Sequence, residues 1–164
     1  MPAQDDALKI EIKGLKELQR KAEQMTRDLH GPPMLEAMRR ATLVVQRAAK
    51  INAPVSDGRL RASITPEVRA QAREVVGVVG TNVKYAPYVE FGTRPHWPPF
   101  GPDSSLARWS HLHGIENPYL VARGIAAHGT KAVKFLERAV TDNEEQIYRI
   151  LGDAVAEIVD KDTD

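Results

Sequence analysis

At 164 residues, 42% apolar and 27% charged, the chain has the size and make-up of one globular domain able to bury a core. Its 23 Lys and Arg stand against 22 Asp and Glu, so no overall charge draws it to nucleic acid or to a membrane. Without cysteine there are no disulfides, thiolate nucleophiles or cysteine zinc sites; residues 1–6 are no secretory signal and no apolar run approaches the ~20 residues of a membrane span, so a soluble chain made in the cytoplasm is expected.

Residues 8–13 alternate Leu8, Ile10 and Ile12 with Lys9, Glu11 and Lys13, a period of two that predicts a short strand ended by Gly14. Leu15, Leu18, Ala22, Met25 and Leu29 recur at three- and four-residue steps and predict a helix with one apolar stripe. His30-Gly31-Pro32-Pro33 stops it and opens the next. That second helix, over 33–52, carries Met34, Ala37, Met38, Ala41, Val44, Val45, Ala48 and Ile51, with Glu36 and Arg40 paired on its outer side. Its alanines let another element approach closely, and Ala53-Pro54 ends it.

After the Asp57-Gly58 turn, Leu60, Ala62, Ile64 and Val68 alternate with polar residues and predict a strand with one wet face, Pro66 marking an edge or bulge. The valines and glycines of 75–80 predict a second strand covered on both faces, and the polar link 69–73 an antiparallel hairpin. On such a hairpin Arg59 and Arg61 share one side and, with Arg69 and Arg73, make a basic face; it suits phosphate contacts, or is simply the wet face of a sheet. From Tyr85 to Pro102 prolines alternate with Tyr85, Tyr88, Phe91, Trp97 and Phe100, a stiff loop whose aromatics need a surface to bury against. Short helices are expected over 103–111 and 119–128, with Gly129 as a stop, and a long one over 133–160 with a frayed tail at 160–164. The sum is one α+β domain spanning 1–164: a small antiparallel β-sheet flanked by amphipathic helices, with a long C-terminal helix.

Catalytic groupings are missing. Gly124 to Lys131 is one transposition from a phosphate-binding loop, but its glycines sit in and after a helical stretch and Thr130 precedes Lys131, so a helix end capped by Gly129 is the plain reading. His111 and His113 lie two apart, with His96 and His128 as possible thirds, yet a helical metal pair is normally spaced by four and no carboxylate cluster accompanies them. No serine lies in a glycine-flanked elbow; Ser56-Asp57 and Ser104-Ser105 sit where such residues cap backbone amides. No enzyme, cofactor or metal is expected.

The run Asn52-Ala53-Pro54-Val55-Ser56-Asp57-Gly58-Arg59-Leu60-Arg61-Ala62-Ser63-Ile64 resembles a signature of the tail-completion and head–tail connector (neck) proteins of long-tailed phages, the gene-product-ten-like minor structural proteins. Val79-Gly80-Thr81-Asn82-Val83-Lys84-Tyr85-Ala86-Pro87-Tyr88-Val89-Glu90-Phe91-Gly92-Thr93, extended by Arg94 to Pro99, is similar to the second signature of that family. Members then run through a variable helical insert, here about 101–129, to a Gly-Thr-Lys and a Phe-Leu; these match Gly129-Thr130-Lys131 and Phe135-Leu136. The resemblance covers about 8–140, with Ser56-Asp57 where the family usually has an acid and then Thr.

The resemblance implies a structural virion protein, made in the host cytoplasm and placed at the neck. It would form a ring, of hexamer type to match tail symmetry, between the head-side connector and the tail tube or its terminator protein. Tyr85, Tyr88, Phe91, Arg94, His96 and Trp97 are the expected subunit or partner interface, against the plainer reading that the aromatics only close the subunit's own core. Arg59 and Arg61 could meet DNA in the channel without sequence specificity. The alternatives are a nucleic-acid-binding module using the arginine face of 59–73, or a hydrolase with a site assembled from distant residues.

Overall fold

The computed structural model describes residues 15–71 and 74–163. The strand expected over 8–13 lies outside them, as does Arg73. Helix α1 (Leu15–Leu29) stops where the sequence predicts, and Gly31 starts α2 (Pro32–Asn52) with Pro32 and Pro33 in its first turn. α2 is the central element: α7, α8 and both strands pack on it, and α1 lies against α2 and α8. Ala37, Ala41 and Ala49 on its inner face are fully or almost fully buried, so the close approach its alanines allow is used.

The stretch after Gly58 departs from expectation. Residues 59–63 form a short helix, α3 (Arg59–Ser63), and the strand β1 begins only at Thr65 and runs to Gln71. Asp57 explains this, because its Oδ1 accepts the Arg59 N–H at 3.0 Å while the Gly58 carbonyl accepts the Ala62 N–H at 2.9 Å. Leu60 and Ile64, four apart, both reach the core, whereas Ala62 between them is exposed. Leu60, Ala62 and Ile64 therefore imitate a period of two while obeying a helical one.

β1 pairs antiparallel with β2 (Glu74–Gly80) in an unbroken register from Thr65 opposite Gly80 to Gln71 opposite Glu74. Among the described residues the sheet is two-stranded, which puts Pro66 in an edge strand, and the register there needs no bulge. Val75, Gly77 and Val79 share the face that packs on α2; a Cβ on Gly77 would collide with Met38 and Thr42. The other face is open, with Val78 43% exposed, which corrects the expectation that β2 is covered on both sides.

After β2 come α4 (Ala86–Phe91), α5 (Ser105–Leu112), α6 (Pro118–His128), α7 (Phe135–Thr141) and α8 (Glu144–Thr163). The single long helix expected over 133–160 is thus two, α8 continuing through the tail expected to fray. The break falls at Asp142-Asn143, where the Asn143 side chain donates to the Ala139 carbonyl at 3.0 Å and the Asn143 carbonyl takes the Ile147 N–H at 2.9 Å. Breaking there lets both pieces pack on α2, with Phe135 and Ala139 of α7 and Ala154 and Ile158 of α8 all buried. Phe135 joins Val45, Leu60, Ile64 and Ala86 in the core cluster.

Candidate assembly surface

The second signature run builds a short helix with two different sides. Ala86 and Glu90, four apart, are buried, and the same geometry turns Tyr85, Tyr88 and Phe91 outward, 41%, 62% and 74% exposed. A carboxylate in the interior must be matched by donors. Glu90 takes the backbone N–H groups of Leu136 and Glu137 on its two oxygens, both at 2.9 Å. Its own carbonyl accepts the Lys134 N–H at 3.1 Å, and that of Val89 accepts Val133 at 2.9 Å. Glu90 thereby satisfies free amides at the start of α7, where Lys134 stands in the left-handed region at φ 56°.

Immediately beyond, two Gly-Thr pairs meet. Thr93 and Thr130 form an isolated antiparallel bridge, exchanging N–H···O bonds of 3.1 and 3.2 Å, with their hydroxyls 3.1 Å apart. The glycine before each has φ +72°, and a Cβ on Gly92 would strike the Thr130 carbonyl oxygen, one on Gly129 that of Thr93. Gly129 also closes α6 through its bond to the Ile125 carbonyl, so the phosphate-loop look-alike is a helix end, as its plain reading has it.

Between the two halves of this clasp hangs the insert. Ser104 and Asn117 cap α5 and α6, each accepting a backbone N–H at 3.1 Å. Trp97 lies between Phe100 and Tyr119, ring centroids 6.3 and 6.1 Å away, and those two are 5.7 Å from one another. Trp109 stacks on His113 at 4.2 Å. The His96 ring meets the Arg94 carbonyl at 2.9 Å. Among the described residues no three metal-ligating side chains come together.

A groove of about 840 Å³ runs between the core and the insert. Tyr85, Tyr88, Arg94 and His96 line it, joined by Trp109, Ile125 and Lys131. Four of the six expected interface residues therefore share one concavity; Phe91 projects beside it and Trp97 belongs to the aromatic triad. Trp109 and Ile125 carry no signal of this role in their local sequence, whereas Lys131 belongs to the Gly-Thr-Lys of the resemblance. The clasp carries one, the repeated Gly-Thr of residues 92–93 and 129–130.

Arg59 and Arg61 do not share a side. Two positions apart on a helix they diverge: Arg59 edges a hollow beside Glu67 and Thr81, whereas Arg61 faces α2 and donates to the Ala53 carbonyl at 3.2 Å. Arg69 is bound by both Glu67 oxygens at 2.7 Å, which raises the guanidinium pKa further and lowers that of the carboxyl. Among the described residues Arg59, Arg61 and Arg69 do not form the continuous arginine face expected of a 59–73 hairpin.

Fold and surface together define a small protein of mixed helix and strand whose prominent exposed features are aromatic and suited to contact. Residues 16–92 match the HK97-gp10-like family, described as "Bacteriophage HK97-gp10, putative tail-component". This segment, α1 through α4 and somewhat under half of the chain, is similar to that family of phage tail components. The match is shorter than the 8–140 of the resemblance and stops at Gly92, the first residue of the clasp. No curated protein and no solved structure matches the chain. Among the described residues no helix is long and apolar enough to cross a membrane.

Proposed function

We infer that the chain is a tail-completion or head–tail joining subunit that acts by assembly, forming a ring at the neck between the head-side connector and the tail tube. The observation that carries this reading is the ledge of Tyr85, Tyr88 and Phe91. These rings stand in solvent on a helix held by the Glu90 carboxylate and the Thr93–Thr130 bridge. A protein does not ordinarily hold aromatics rigidly in water without a partner to cover them. The ledge and its groove, with Arg94 and His96, form the surface for the neighbouring virion protein, and the insert supplies the second wall.

The mass of the purified chain by light scattering, alone and with tail tubes lacking their head-proximal end, tests the reading. A ring, or a monomer that becomes one on the tubes, is expected. A monomer that ignores the tubes and binds DNA with steep salt dependence would transfer the protein to the nucleic-acid class.

A further inference from the structure

Charge is divided unevenly within this nearly neutral chain. Residues 32–63, from α2 through α3, hold six basic residues against two acidic, whereas α8 holds six acidic against two basic. Both imbalances lie on solvent-facing sides. The outer face of α2 presents Arg40, Leu43, Arg47, Lys50 and Ile51, with Leu43 53% and Ile51 69% exposed. A shallow groove of about 410 Å³ there is lined by Leu43, Gln46, Arg47, Lys50, Ile51 and Arg61, three cations and no acid. On α8, Asp153, Glu157 and Asp160 are all exposed and make no ion pair with a described residue, and Gly152 and Ala156 keep the neighbouring surface low.

We propose that the outer face of α2 in one copy binds the outer face of α8 in the next, a head-to-tail contact between copies of this chain. The geometry is commensurate: Arg40 and Arg47 are seven residues apart, about 10.5 Å along a helix, and so are Asp153 and Asp160. An antiparallel pair sets Arg47 against Asp153 and Arg40 against Asp160, with Leu43 over the small residues of α8. Exposed ion pairs add little affinity, so the charges choose partner and register, while burial of Leu43 and Ile51 supplies the attraction. Those aliphatics among the cations also favour a protein over a phosphate backbone as occupant. Because the two faces differ, the contact is heterologous and propagates until a ring closes. It rests on the ring reading above and supplies its lateral contact, leaving the aromatic ledge to a different protein.

A charge swap in the full-length chain tests this. One variant carries Arg47→Glu with Lys50→Glu, the other Asp153→Lys with Glu157→Lys, both checked for fold by circular dichroism. Self-association by sedimentation at low salt is expected to weaken about tenfold or more in each variant alone and to return when the two are mixed, since each then meets a complementary face. A wild-type chain that stays monomeric, variants that associate as wild type, or a mixture that fails to associate would each overturn the proposal. So would loss of binding to a short fluorescent DNA duplex in the first variant with self-association unchanged, which gives the α2 face to nucleic acid. A swap that behaves as expected in a protein that ignores tail tubes upholds this contact and counts against the neck reading instead.

Discussion

The Glu90 carboxylate accepts the backbone N–H of Leu136 at 2.9 Å across 46 residues of chain, tying the exposed aromatic helix to the start of α7. Replacing Glu90 by Gln keeps the shape but removes the charge at a helix N-terminus and one of the two acceptors. Loss of about 1.5–3 kcal/mol of stability is expected, read as a lower urea midpoint at unchanged slope. An unchanged midpoint would mean that the buried carboxylate is not what holds α7.

The Thr93–Thr130 bridge makes a second demand. Gly92→Ala or Gly129→Ala places a methyl group against a backbone oxygen in the left-handed region, and each is expected to cost about 1–3 kcal/mol or more. Gly114→Ala has a similar φ of 70° but open space around its Cβ, and should cost about 1 kcal/mol. Equal losses at all three positions in denaturant titrations would show that φ alone, and not close approach, selects these glycines.

Core and ledge aromatics should separate cleanly. Phe135, fully buried, is expected to lose about 3–5 kcal/mol on replacement by alanine. Tyr88→Ala and Phe91→Ala, at 62% and 74% exposure, should stay within about 0.5 kcal/mol of wild type while losing association with tails. Trp97→Ala should likewise abolish assembly and leave a folded chain. Unfolding of the ledge variants would return these rings to the subunit's own core.

One titration has a definite sign. Tyr148 stands one turn after Glu144 on α8, and hydrogen bonding to that carboxylate, its charge and slight desolvation raise the phenol pKa above the ordinary tyrosine value of about 10. The folded state thus favours the neutral phenol, and its contribution to stability is present below that value and fades as pH rises through the raised one. Alkaline absorbance titration should show the Tyr148 phenol ionising late, and Glu144→Gln should bring it back. A titration unaltered by that change would mean that another group sets the shift.

Much of the architecture can be read from short stretches of chain. Gly31 with Pro32 and Pro33 separates α1 from α2, Ser104 and Asn117 open the insert helices, and the valine run of β2 pairs where expected; each signal acts within one turn or one strand. Local pattern fails where two periods coincide. Leu60 and Ile64 fit a strand and a helix equally until Asp57 caps one of them, and the apolar stripe of 133–160 runs on across the Asp142-Asn143 break. The aromatic surface shows the same division. Its residue types and two Gly-Thr pairs are visible in sequence, yet which rings face water depends on Glu90 being buried, and that depends on amides 46 and 47 residues away. The divergence of Arg59 and Arg61 has the same origin, because a side chain's direction follows from the backbone form that packing selects.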